Sequence, residues 1–176
     1  MSGHNKWSKI KRQKEKTDAQ KSKIFGKMVR FITVEAKKVG GNINSPGLKS
    51  AIEKAKAANV PSDNIDRAVK KFAEDGVTME SVIYEAYGPG GCAIVIEALT
   101  DSKNRTTQEI KLILSKNELV LAAMGSATWA FFHNPGEDWI PTSTIPLSDK
   151  DGEKLSALVD ELEENDDVQD VFTNAE

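Results

Sequence analysis

Between residues 18 and 72 apolar side chains recur every three or four positions; from residue 80 they alternate or run together, so the chain divides into a helical part and a mixed part. Thr17 and Gln20 have capping-box spacing, and the helix they open is expected to reach about Val39, where Gly40-Gly41 supplies a left-handed stop. Phe25, Met28, Val29, Ile32 and Ala36 fall on one side of it, while Lys23, Lys27, Arg30 and Lys37 gather within an arc of about 80° on the other. Gly26, in its interior, costs on the order of 1 kcal/mol against alanine and leaves room for a close backbone approach. Ser45-Pro46 opens a second helix with the stripe Leu48, Ala51, Ile52 and Ala55, ended by Asn59-Val60-Pro61. Ser62 opens a third with Ile65, Ala68, Val69 and Phe72, closed by Gly76.

The later period is that of strands. Val82–Tyr87 and Cys92–Leu99 flank the turn signal Gly88-Pro89-Gly90-Gly91, and the second run is apolar enough for a central strand. Thr106 with Glu109 reads as a capping box opening a helix to about Asn117; Ser126–Phe132 and Thr142–Leu147 read as strands. Ser148-Asp149 opens an acidic helix with Leu155, Leu158, Val159 and Leu162 inside, and Val168–Phe172 is the last strand. Apart from the leading strand the order is βαββαβ. The predicted fold class is therefore α+β: an N-terminal three-helix domain, residues 17–78, and a ferredoxin-like domain with an extra leading strand, residues 79–176, behind an arm of residues 1–16.

Charge changes this picture most. The 176 residues sum to only −3, yet residues 1–40 hold twelve basic and three acidic side chains, a surplus of +9. Residues 41–80 hold six of each, and residues 81–176 hold six basic and eighteen acidic, a surplus of −12. A basic arm on an acidic body points to a polyanionic partner, and clustered Lys and Arg are the footprint of phosphate binding. The arm carries Lys6, Lys9, Lys11, Arg12, Lys14 and Lys16 with only Trp7 and Ile10 as large apolar groups, too little to offset its ordering entropy before a partner arrives. The alternative is a solvated face, or an arm that folds onto its own acidic half.

Other chemistry is sparse. Cys92 is the one cysteine and His4 and His133 the only histidines, so neither a disulfide framework nor a cysteine-based metal centre is possible, and no metal or cofactor is expected. No Ser-His-Asp or Cys-His set assembles; the chain is not expected to be an enzyme. No run of eighteen apolar residues and no apolar leader occurs, so a cytoplasmic protein without a membrane partner is expected. Gly88–Gly91 lacks the Lys-Ser/Thr of a phosphate loop and is read as a hairpin turn. Ser126–Phe132 lacks the pattern of the RNA-recognition motif, and Trp129 and Phe131 are expected in the core. Asp101–Thr106 is either a capping loop or, through Lys103 and Arg105, a second phosphate contact.

Several strings together resemble one family: Gly3-His4-Asn5-Lys6-Trp7, Ala51–Pro61, Asp63-Asn64-Ile65, Tyr84–Gly91, Thr100-Asp101 with Asn104-Arg105-Thr106, Gly125-Ser126 with Trp129, and Asp166–Val171. In order and span they are similar to the YebC/PmpR family, whose mitochondrial relatives are translational activators of cytochrome c oxidase. The resemblance implies a helical domain and a ferredoxin-like domain. It also implies transcriptional regulation by DNA binding, or work in translation at the ribosome through ribosomal RNA. Lys6, Lys9, Lys11, Arg12, Lys21, Lys23 and Lys27 are the implied nucleic-acid contacts. Two departures stand out. Only His133–Ile140 occupies the place of a further inserted domain, and Glu118-Leu119 stands where the family has Gly-Gly. The reading reached is a nucleic-acid-binding regulator of gene expression. The alternative is a protein-interaction module with a solubilising arm, and a small-molecule-sensing domain has no motif in its favour.

Overall fold

The computed structural model describes residues 18–71 and 78–176. Lys6, Trp7, Lys9, Lys11, Arg12 and Lys14, the cap at Thr17, Phe72 and Gly76 lie outside the described residues. These form two units.

The first unit contains α1 (Asp18–Lys38), α2 (Pro46–Ala57), α3 (Ser62–Lys70) and the segment Asn134–Asp138. Each helix buries the stripe its period predicts: Ile32 and Ala36 from α1, Leu48, Ala51 and Ala55 from α2, Ile65 and Ala68 from α3, with Val60 between. The alanines let helix backbones approach closely, and each fully buried Ile or Leu contributes about 2 kcal/mol. Segment 134–138 lies on α2, where the Ser50 hydroxyl donates to the Gly136 carbonyl at 3.0 Å and Lys54 meets Asp138 at 2.8 Å.

The second unit contains β1 (Glu80–Tyr87), β2 (Ala93–Thr100), α4 (Lys103–Lys116), β3 (Phe131–Phe132), β4 (Ile140–Pro141), α5 (Asp149–Glu164) and β5 (Val168–Thr173). β1, β2 and β5 form an antiparallel sheet in that order, with Tyr84 opposite Ile96 and Ile96 opposite Val171. β2 is the central strand, buried on both faces as its apolar run requires. One face packs Val82, Tyr84, Ile94, Ile96 and Val171 against Ile110 and Leu114 of α4 and Leu155, Leu158 and Leu162 of α5. On the other face Ala93 and Val95 meet Ala127, Ala130 and Phe131, with Trp139 and Phe172 beside them.

The class is α+β, with both helices against one face of the sheet. Two expected strands take other forms. In Ser126–Phe132 only Phe131 and Phe132 are extended, after a 3₁₀ turn at Thr128–Ala130. The N–H groups of Ala127 and Thr128 go to the Glu85 carboxylate, not to a neighbouring strand. In Thr142–Leu147 a single parallel bridge joins Ile145 to Ala175, with Ile145 N–H on Asn174 O at 2.9 Å, Glu176 N–H on Ile145 O at 2.8 Å and Leu147 N–H on Glu176 O at 3.3 Å. The strands at 131–132 and 140–141 pair with each other as a separate ribbon. The helix expected to open at Thr106 begins at Lys103, with Ser102 at its cap position.

Three helices end in the same way. Gly41 N–H bonds Ala36 O at 2.8 Å, Val60 N–H bonds Ala55 O at 3.0 Å, and Leu119 N–H bonds Leu114 O at 2.9 Å. Each closure needs a left-handed residue, and Gly40, Asn59 and Glu118 supply φ of 59°, 61° and 60°. The turn after α4 thus keeps glycine geometry with a glutamate in it.

Candidate nucleic-acid interface

Amphipathicity positions the cations of α1. Its apolar side carries Ile32 and Ala36 fully buried, with Phe25, Met28 and Val29 packed against the same core. Lys21 is exposed and 3.9 Å from Asp18. Lys23, Lys27 and Arg30 are half-buried, and Lys37 is exposed. Lys38 is held by Glu35 at 2.6 Å, and a Cβ at Gly47 would stand 2.6 Å from the Glu35 carboxylate, so a side chain there would push the end of Glu35 aside. Gly26, among these cations, is exposed, and a Cβ built on it meets no described residue within 4 Å.

Lys103 and Arg105 come to different surroundings. Lys103 is exposed in the first turn of α4. The Arg105 guanidinium donates to Asp101 at 2.8 Å and to Asp167 at 2.7 Å, with Glu109 at 3.9 Å. The hydrogen bond to Asp167, then that to Asp101, with the charges of both acids, raise the Arg105 pKa. A phosphate arriving there would meet three carboxylates, and the guanidinium already ties the first turn of α4 to Asp101 and Asp167. Asp167 is buried and also accepts from the Thr106 hydroxyl at 2.7 Å and from Thr100 at 3.2 Å. Burial works to raise its pKa, but the bonds from Arg105 and Thr106, the Arg105 charge and the Thr100 hydroxyl outweigh it, and its carboxyl is held below the usual aspartate range. Thr106 is therefore a buried link between α4 and the turn before β5, not a cap.

Sequence reasoning missed a third arrangement. The Glu85 carboxylate, 3% exposed, accepts N–H groups from Gly125 at 2.6 Å, Ala127 at 2.7 Å and Thr128 at 2.9 Å. Burial pushes its pKa up, while those N–H groups and the Thr128 hydroxyl pull it down further, leaving it below the ordinary glutamate range. Two residues along β1, the Tyr87 hydroxyl donates to the Ser126 carbonyl and accepts the Trp129 indole N–H at 3.1 Å. Phe131 is buried as expected, but Trp129 is 65% exposed, its ring held at the surface by Tyr87. Val120 and Met124 are exposed nearby in sequence, and residues 119–136 contain no Asp, Glu, Lys or Arg. The signal available was the pair of strings Tyr84–Tyr87 and Gly125–Trp129, which this geometry joins.

Cys92 is fully buried, and burial pushes its thiol pKa up. Among the described residues no group of His, Cys, Asp or Glu is placed to hold a metal, and no helix is long and apolar enough to cross a membrane.

Residues 5–75 match the family model described as the TACO1/YebC protein N-terminal domain, and residues 79–137 and 132–175 match that of the TACO1/YebC second and third domain. A probable transcriptional regulatory protein of Thermoanaerobacter pseudethanolicus is 39% identical over 239 residues, covering 100% of this chain and 97% of the relative. One from Thermotoga maritima is 36% identical over 238 residues, covering 100% and 94%. The crystal structure of a conserved hypothetical protein from Aquifex aeolicus superposes with a TM-score of 0.78 at 31% identity, covering 92% of each chain. Set against the 176 residues here, the 239 aligned positions leave 63 without a counterpart. The two pieces of the second match meet at residues 132–137, which puts the interruption at the turn between β3 and β4.

Proposed function

Because the chain belongs to the TACO1/YebC family, we propose that it is a non-enzymatic, cytoplasmic nucleic-acid-binding regulator of gene expression. The observation that carries this reading is the cationic side of α1, with Lys23, Lys27, Arg30 and Lys37 turned away from the apolar stripe and Lys21 exposed in the first turn. Further basic residues offered for phosphate contact are Lys6, Lys9, Lys11, Arg12 and Lys14 of the arm and Lys103 of α4, and Trp7 offers a ring for stacking on a base. Relatives named as probable transcriptional regulatory proteins support a regulatory role. Phosphate contacts carry no base information, so binding is weakly sequence-specific, with ribosomal RNA as the physiological target and DNA binding a measurable property of the same surface.

If about five phosphates are neutralised, log K falls with log salt at a slope of about −4 to −5 on duplex DNA. An affinity unchanged between low and physiological salt would refute phosphate gripping. Co-sedimentation with ribosomes, lost on deletion of residues 1–16, supports the ribosomal target; association with promoter DNA and never with ribosomes refutes it.

A second reading, a protein-interaction module, draws on the exposed apolar side chains Val120, Met124 and Trp129 within a stretch that lacks Asp, Glu, Lys and Arg. It requires charge reversal at Lys23 and Lys27 to leave function intact, whereas the first reading requires binding to collapse.

A further inference from the structure

We propose that the exposed face of Trp129 is a stacking site for an unpaired nucleobase, so that the protein favours single-stranded segments of nucleic acid over duplex. This rests on the reading of the chain as a nucleic-acid binder through α1 and adds to it the class of target, a strand whose bases lie outside a duplex.

The ring is presented to solvent by a series of contacts that begins in the core. The buried Glu85 carboxylate on β1 holds the loop through the N–H groups of Gly125, Ala127 and Thr128. Tyr87, two residues on and on the same side of the strand, donates its hydroxyl to the Ser126 carbonyl of that loop and accepts the Trp129 indole N–H at 3.1 Å. Trp129 stands in the 3₁₀ turn Thr128–Ala130, and Ala127 and Ala130 on either side of it are fully buried. Backbone and indole are thus both fixed, yet Trp129 is 65% exposed. Leaving so much of an indole in water forgoes the gain of burying it, and the tie to Tyr87 keeps it there.

What the ring can recognise follows from the groups around it. The indole N–H and the phenol O–H are the only hydrogen-bond donors of the two side chains, and both are taken within the chain. The N–H groups of Gly125, Ala127 and Thr128 are taken by Glu85. An extended peptide brings a carbonyl at every residue and is recognised through main-chain hydrogen bonds, which none of these donors can give it. The exposed π face suits a nucleobase, which stacks through its own face while its edges stay in water. Charge agrees. Residues 81–176 carry a surplus of −12, which repels a phosphate-bearing strand, but residues 119–136 hold no Asp, Glu, Lys or Arg. The Glu85 carboxylate bonded to this loop is buried and faces N–H donors.

The test uses the full chain with three probes of equal length: an unstructured single-stranded RNA, a DNA strand of the same sequence and a blunt RNA duplex. The variants are Trp129→Phe, which keeps a flat face, and Trp129→Leu, which keeps an apolar side chain without one. Both should melt close to the parent. Trp129→Leu should bind either single strand about tenfold more weakly and the duplex within about twofold, with the salt slope unchanged because no phosphate contact is lost. Trp129→Phe should stay within about threefold of the parent on every probe. The RNA and DNA strands should respond alike, since a ring face does not read the 2′-hydroxyl. A Trp129→Leu protein that binds the single strands as tightly as the parent, or a Trp129→Phe protein that loses as much as Trp129→Leu, overturns the inference and leaves the α1 reading standing. A Trp129→Leu protein that melts far below the parent overturns it too, because the ring then belongs to the core. So does a parent dimer in sedimentation that Trp129→Leu dissociates, because the ring then meets a second copy of the chain. Charge reversal at Lys23 and Lys27 that leaves binding intact, with the Trp129→Leu loss still present, overturns the α1 reading instead and keeps the stacking site.

Discussion

Glu85, in the middle of β1, accepts the backbone N–H of Ala127 at 2.7 Å from 42 residues away in sequence. With Gly125 and Thr128 on the same carboxylate, one buried acid replaces the strand partner that this stretch would otherwise need. Replacing Glu85 with alanine leaves three N–H groups without that acceptor, and hydrogen bonds to a charged group are the strong ones, so the variant should lose about 3 kcal/mol in urea denaturation.

The same carboxylate predicts acid sensitivity. Its pKa is lower in the folded protein than in the unfolded chain, so its contribution is complete above the ordinary glutamate range and disappears as pH falls through the folded value. Urea midpoints measured from neutral pH down to about pH 3 should show the stability gap between parent and Glu85→Gln closing on acidification. A gap that stays constant with pH would mean that the ionised carboxylate is not what the loop N–H groups require.

Asp167 is the corresponding hub on the other side of the unit, where the Arg105 and Thr106 side chains converge on one oxygen, Oδ2. Asp167→Ala should cost about 3 kcal/mol, because buried hydroxyls and a guanidinium lose their acceptor together, and Thr106→Val about 1–2 kcal/mol. Arg105 is 47% exposed and water can replace its partners, so Arg105→Ala should destabilise least of the three. Because its charge is already met by acids, Arg105→Ala should also leave nucleic-acid affinity within about twofold, whereas a phosphate contact would lower affinity and reduce the salt slope.

What could be read from the sequence and what could not divides at these two acids. The stripe Ile32 and Ala36 on α1, the central position of β2 and the α5 stripe of Leu155, Leu158 and Leu162 follow from local period, because burial on one side is all they require. The strand expected at Ser126–Phe132 fails because its N–H partner is a side chain some forty residues upstream. Thr106 and Glu109 have capping-box spacing, but Asp167, 61 residues downstream, claims the Thr106 hydroxyl. Trp129 reads as core by composition and is held outside by Tyr87, a contact that no periodicity reports. On the candidate interface, charge clustering located the cations of α1, while the acids around Arg105 emerge only once the chain is folded.

Glu118 offers a test of backbone strain. It holds φ of 60° at the end of α4, and a non-glycine residue there is disfavoured by its Cβ. Glu118→Gly should stabilise the protein by about 1 kcal/mol, the relief outweighing the extra freedom of the unfolded chain. Asn59→Gly, at φ of 61° after α2, should gain less, since asparagine tolerates this conformation better than glutamate. Equal gains at the two sites in thermal denaturation would show that the residue type at the turn does not set the strain.

The two tryptophans near the β3–β4 ribbon carry different loads. Trp139 stacks on His133 with ring centroids 4.1 Å apart, meets Phe131 edge-on and donates its indole N–H to Glu97 at 2.8 Å. Trp129 is mostly in solvent and bonds only the Tyr87 hydroxyl among the described side chains. Trp139→Ala should therefore cost about 3 kcal/mol by removing core area, a ring contact and the partner of a carboxylate. Trp129→Ala should cost under about 1 kcal/mol, since surface substitutions away from buried networks change stability little. Differential scanning calorimetry on the pair decides it. A large loss at Trp129 would mean that its ring supports the fold after all, and is core left partly open, not a face available to a partner.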